Sequence, residues 1–183
     1  MLESYLIAYC SPTLASLKTA SLFTLSFSSE ADLERQLVLW NTKLGDKGVS
    51  LMMLRRREQT ALIYVCRKAK LQVDLKKLGV AQLLSKYGYQ QTDVEYALQK
   101  LEERLRQKEG FPHEIGIFLG YPLGDVVGFI QNAGKNSKCT GCWKVYCNEC
   151  ETVKLFARFR KCKDMYLGLW SQGRTVLQLT VVA

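Results

Sequence analysis

The chain predicts a mixed α/β (α+β) fold: one layered domain over residues 1–183, with helices covering a partly antiparallel sheet. Two apolar runs, Val49–Arg55 and Ala61–Cys66, flank Arg57-Glu58-Gln59 and read as the strands of a hairpin. Elsewhere apolar residues recur at helical spacing, as in Leu33, Leu37, Trp40 and Leu44. Composition agrees: 48% hydrophobic and 23% charged residues suit a chain that buries its own core, not a disordered one.

The elements follow in order. Ser11-Pro12 reads as a helix start, with Ser as N-cap and Pro at the first helical position, where its missing N–H costs nothing. A strand is expected over Ser21–Phe27, with Phe23, Leu25 and Phe27 on one face. Ser29 caps a helix that Gly45 and Gly48 stop. After the hairpin come a helix over Val80–Tyr87 and another opened by Thr92-Asp93-Val94-Glu95, a Thr-x-x-Glu capping box with Val94, Leu98, Leu101 and Leu105 as its buried stripe. The run Glu114–Leu119 reads as a buried strand, and Pro122 opens a short helix ended by Gly134. Trp143–Tyr146 reads as a strand, Glu149–Leu169 as a basic amphipathic helix, and Val176–Val182 as a closing strand. Helices alternating with single strands in this second half predict some parallel pairing there.

Charge and cysteine usage narrow the setting. With 26 Lys+Arg against 17 Asp+Glu the formal net charge is +9, enough to attract polyanions in general. The cations cluster at Arg55, Arg56 and Arg57, at Lys76 and Lys77, and along Lys154, Arg158, Arg160, Lys161 and Lys163. Phe156, Phe159 and Tyr166 fall on the apolar stripe of their helix instead of among those cations, so nucleic acid is not the favoured partner, although the basic charge leaves it open. No apolar run reaches the roughly 18–20 residues needed to cross a bilayer. The early Glu3 and the lack of a basic segment before an apolar one make a poor signal peptide. Seven cysteines, an odd count, then point to the cytoplasm and to thiols or metal ligands instead of disulfides.

The most informative stretch runs from Phe111 to Tyr146, FPHEIGIFLGYPLGDVVGFIQNAGKNSKCTGCWKVY. Its elements FPHEIG, FLGYPL, DV.GFI and G.WKVY resemble the signature of the domain-of-unknown-function 3793 family of anaerobic clostridia. The likeness extends from the CSPTLASLKTASLF run to the basic helix. It implies an anaerobic, cytoplasmic setting with a redox or metal context, and it implies no activity.

Four constellations carry chemistry. Cys139-x-x-Cys142 and Cys147-x-x-Cys150 have the spacing of a four-thiolate site for zinc or an iron–sulfur centre. Lys135, Lys138 and Lys144 beside them are expected to lower the thiol pKa values. Against the site stand the short separation of the two pairs, the strand between them, and a family pattern holding G.WKVY without Cys142, Cys147 or Cys150. His113, the only histidine, follows a loop-fixing Pro and is the best candidate for a catalytic or ligand-binding group, with Glu114 adjacent. Gly120-Tyr121-Pro122-Leu123-Gly124-Asp125 links the expected strand to a helix, and such junctions bind anions against helix N-termini. Lastly, Cys10-Ser11 with Lys18 suggests a reactive thiol, whereas Cys66 and Cys162 read as core.

The function expected is therefore binding of a small anionic ligand or cofactor around residues 113–125, through His113, Gly120, Tyr121 and Asp125, with Lys18 and Lys144 contributing. The alternatives are a zinc or iron–sulfur protein built on Cys139–Cys150, and a regulatory protein that holds a polyanion or partner on its basic face. No hydrolase order of Ser, His and Asp appears, and no reaction can be named.

Overall fold

The fold, taken from a computed structural model, describes residues 2–107 and 110–182. It is mixed α+β, and its packing forms two compact units: Met1–Leu71 with Cys162–Ala183, and Gln72–Lys161.

The first unit is built on a three-stranded sheet of β1 (Ala20–Ser26), β2 (Ser50–Arg57) and β3 (Thr60–Cys66) in the order β1-β3-β2. Both pairings are antiparallel, with Phe23 opposite Ile63 and Met53 opposite Ile63 across the two ladders. Helix α1 (Leu2–Leu14) packs on β1, and α2 (Glu30–Gly45) packs on β2. Leu6, Ile7, Leu14, Phe23, Leu25, Trp40, Leu44, Ile63 and Val65 meet in one core. As expected, the Ser29 side chain caps α2 by accepting from the Asp32 N–H, and Leu33, Trp40 and Leu44 are its buried residues. The hairpin turns at Glu58-Gln59, with Glu58 at a φ of 33°.

The second unit holds α4 (Val80–Ser85), α5 (Val94–Arg106), α6 (Ile115–Phe118), α7 (Leu123–Gln131) and a small hairpin of β4 (Cys139–Thr140) and β5 (Lys144–Val145). Helix α3 (Lys68–Leu75) and the long α8 (Glu149–Ser171) each contribute residues to both units, and α9 (Val176–Leu179) belongs to the first. No helix among the described residues is long and apolar enough to cross a membrane.

Several expected elements are corrected. Pro12 lies inside α1, which begins upstream; Ser11 is buried and its hydroxyl donates to the Ile7 carbonyl one turn back instead of capping. At α5 the cap is Asp93, not Thr92: its carboxylate accepts from the Glu95 and Tyr96 N–H groups. The expected strand over Glu114–Leu119 is the one-turn helix α6, and Val176–Val182 is α9 followed by an extended tail. Ile115, Gly116, Ile117 and Phe118 are all buried, so their apolar run carries no period to separate strand from helix. With those two strands gone, every strand pair among the described residues is antiparallel and the expected parallel pairing is absent.

Candidate functional site

The residues of the Phe111–Tyr146 stretch assemble in the second unit, and most of them serve one another. Helix α6 ends in a Schellman turn: Gly120, at a φ of 77°, donates its N–H to Ile117 O, and Tyr121 N donates to Gly116 O. Gly120 is required there because the left-handed region disfavours a Cβ. Pro122 then blocks continuation of the turn and starts α7.

Asp125 sits in the first turn of α7 and is buried. One carboxylate oxygen accepts from Trp143 Nε1 at 2.8 Å. The other accepts from the backbone N–H of Tyr146 at 2.7 Å and of Cys147 at 2.9 Å, and from the Cys147 thiol at 3.2 Å. Asp125 is thus a clasp that fixes the β4–β5 hairpin to α7. Tyr121 stacks on the Trp143 indole with ring centroids 4.3 Å apart, and the Phe156 ring meets that indole edge-on at 4.6 Å. Burial, then the neighbouring Cys142, pushes the Tyr121 phenol up to about 12. Lys144 Nζ donates to Gly134 O at 2.6 Å, satisfying a carbonyl beyond the end of α7. Tyr121, Asp125 and Lys144 therefore have their polar groups or ring faces engaged within the unit, and Gly120 serves the turn.

His113 and Glu114 are placed differently. His113 is exposed, with its ring 5.0 Å from that of Phe129. Glu114 is fully buried; its Oε1 accepts from Tyr89 Oη at 3.3 Å and from Arg104 Nε in an ion pair. Its other oxygen, Oε2, is buried with no hydrogen-bond partner among the described residues. Tyr89 is 3% exposed and its phenol is pushed upward by burial and then by the Glu114 charge. The Arg104 side chain is 25% exposed and lies 5.1 Å over the Tyr87 ring. Tyr89, Arg104 and Glu114 come from separate segments, so no spacing joins them in the sequence; the one local signal is an acidic residue standing directly before the apolar run IGIFLG.

The cysteines stay in local arrangements. Cys139 and Cys147 are half-buried, Cys142 and Cys150 exposed, and all are free thiols. Among the described residues no three His, Cys, Asp or Glu side chains gather as a metal ion requires. The expected lowering of thiol pKa by the lysines is reversed where a shift occurs. Cys147 is raised by partial burial and by its bond to Asp125, and Cys139 by desolvation and by the Glu149 carboxylate. Lys18 belongs to the first unit, whereas His113, Gly120, Tyr121, Asp125 and Lys144 belong to the second. Cys10, also there, is buried, and burial pushes its thiol to about 12, which removes the expected reactive thiolate.

The profile of the family described as "Protein of unknown function (DUF3793)" matches residues 6–180. The chain belongs to this family. No curated protein and no solved structure matches it. In this DUF3793 chain the elements FPHEIG, GYPL, DV.GF and WKVY include residues that hold α6, α7 and the β4–β5 hairpin together, through Asp125, Trp143, Tyr121 and Lys144. Glu114 is the member of that set with binding capacity left over.

Proposed function

We propose that the second unit is a small-molecule binding module whose specific contact is the Glu114–Arg104–Tyr89 cluster, with exposed His113 beside it in sequence. The observation that carries this reading is the partnerless Glu114 Oε2, the only buried side-chain oxygen or nitrogen so placed among the described residues. Leaving a buried polar group unbonded costs about 1–3 kcal/mol, more when it is charged. Buried polar groups are otherwise bonded almost without exception, and a ligand's donor is the partner proposed for this one. Access runs past Arg104, because Tyr89 is buried and the Arg104 side chain is partly exposed.

The chemistry of the cluster defines the ligand. Oε2 accepts from an ammonium, amide or hydroxyl donor, and the Arg104 guanidinium, a fork of donors, takes an anionic group. An anionic molecule that also carries a donor, such as an amino acid or a hydroxy acid, satisfies both. The test is thermal stabilisation of the full chain by a panel of amino acids and α-hydroxy acids. A stabilising member is expected, with its effect lost in Glu114→Gln and in Arg104→Met. Equal stabilisation of Glu114→Gln, or no stabilisation of the native chain, overturns the proposal.

A further inference from the structure

The two edges of the three-stranded sheet are treated differently. The β2 edge is closed: the Asn41 side-chain amide accepts from Leu51 N at 2.8 Å and donates to Leu51 O at 2.9 Å, standing in for a neighbouring strand. Its far end carries Arg55, Arg56 and Arg57, charges that oppose pairing with another basic chain. The β1 edge has none of these devices. Its residues, ASLFTLS, hold no charge, no proline and no bulge.

The direction of the β1 backbone follows from two bonds at its ends. Phe27 N donates to Gln59 O, and Arg67 N donates to Thr19 O, so the odd-numbered residues turn their backbone groups toward β3. Leu22, Thr24 and Ser26 therefore turn theirs outward. None of these outward groups has a partner among the described residues, and the Thr24 and Ser26 side chains are exposed. Beside this edge lies a groove of about 490 Å³ lined by Leu25, Phe27, Leu33 and Leu39. On α1 the Tyr9 ring, 54% exposed, stacks 5.7 Å from Phe23.

We propose that the β1 edge is a homodimer seam, where β1 of one copy pairs antiparallel with β1 of a second copy about a two-fold axis at Thr24. The edge is self-complementary in that register. Thr24 faces Thr24 of the second copy as a hydrogen-bonded pair, and Leu22 faces Ser26, so every outward N–H and C=O of these residues is satisfied. Charge fits as well. The same two-fold brings the basic start of the strand, Lys18, opposite the acidic first turn of α2, Glu30 and Asp32, in the second copy. Both carboxylates are exposed, and among the described residues they pair through solvated contacts with Arg56 and Arg35, which hold them weakly. The groove and Tyr9 supply apolar area that a short strand pair alone lacks.

The experiment is sedimentation equilibrium of the full chain with variants at Thr24, whose side chain points away from the core. The native chain is expected at twice its mass of 20.9 kDa. Thr24→Lys sets two like charges face to face across the axis and should give a monomer with an unchanged circular-dichroism spectrum. Thr24→Pro removes an outward N–H that β3 does not use and should do the same. An equimolar mixture of Thr24→Lys and Thr24→Glu should regain the dimer, an outcome that misfolding of either variant cannot produce. A monomeric native chain at micromolar concentration, or a Thr24→Lys variant that stays dimeric, overturns the proposal.

Discussion

Arg67 follows β3 directly and is the largest fully buried side chain of the described residues, yet it faces no carboxylate. Its Nε donates to Thr13 O and one terminal nitrogen to Leu14 O, both at 2.7 Å, capping the last carbonyls of α1, where the helix dipole favours a cation. The other terminal nitrogen reaches Lys47 O at 2.9 Å, past the end of α2, and the first also reaches Val181 O at 2.7 Å in the C-terminal tail. One planar fork thus ties together segments more than a hundred residues apart in sequence. Burial lowers its pKa, opposed by the nearby Tyr166, but an arginine stays protonated at any ordinary pH. Arg67→Met removes all four bonds of the fork, and although Thr13 O keeps the Ser16 N–H and Leu14 O keeps the Val181 N–H, Lys47 O and Val181 O lose this donor, a loss expected at about 3–5 kcal/mol. Arg67→Lys keeps the charge as a point and should recover only part of it. An unfolding free energy from urea denaturation within about 1 kcal/mol of the native value for Arg67→Met would refute this role.

At the scale of elements, the β4–β5 hairpin has two residues in each strand and cannot stand alone. It is held by the Asp125 clasp, by Trp143 between Tyr121 and Phe156, and by close approaches that only glycine permits: a Cβ on Gly128 would run into the Tyr146 ring, and one on Gly141 into Phe156. Asp125→Ala should therefore destabilise the second unit by about 2–4 kcal/mol, since the indole and two backbone donors lose their acceptor. Changing Cys139, Cys142, Cys147 and Cys150 together to Ser should cost less than that single substitution, because the thiols are half-buried or exposed and only Cys147 donates to Asp125. A quadruple variant that unfolds and releases a full equivalent of zinc or iron would instead establish the metal centre. The contrast shows what was legible. The Ser29 cap, the Leu33–Leu44 stripe, the hairpin and α8 could be read because each carries a period or a cap in a few adjacent residues. Helix α6 carries neither. Helix α9 did carry one, the Thr175 and Gln178 capping box, outvoted by the β-branched run around it. The Asp125 clasp and the Glu114 cluster pair residues from separate elements, so no spacing in the sequence announces them.

Across the whole molecule, neutral acids buried in both units set the response to alkali. Cys10 and Tyr166 in the first unit, and Tyr121 in the second, are each pushed up to about 12 from ordinary values of 9.0 for the thiol and 10.0 for the phenols. Burial is the main cause in all three, because it penalises the charged form. Tyr166 also feels Cys162, and Lys18 only partly offsets the shift at Cys10. A group whose folded pKa is raised keeps its proton in the folded chain after the unfolded chain has released it. These groups contribute their full stability below the unfolded pKa and lose it as pH rises through the folded one. Unfolding free energy should accordingly show no pH dependence from them below pH 9, begin to fall as the Cys10 window opens, and steepen above pH 10 when the tyrosines join. Each group adds a slope of at most about 1.4 kcal/mol per pH unit, less for the half-exposed Tyr166, where solvent screens the effect. Urea denaturation from about pH 8 to about pH 11 reads the slope directly, and Tyr121→Phe should flatten it only above about pH 10 while leaving the Cys10 onset in place. A free energy that stays level across that range would mean the three groups reach water in the folded chain, and that the two cores are not closed around them.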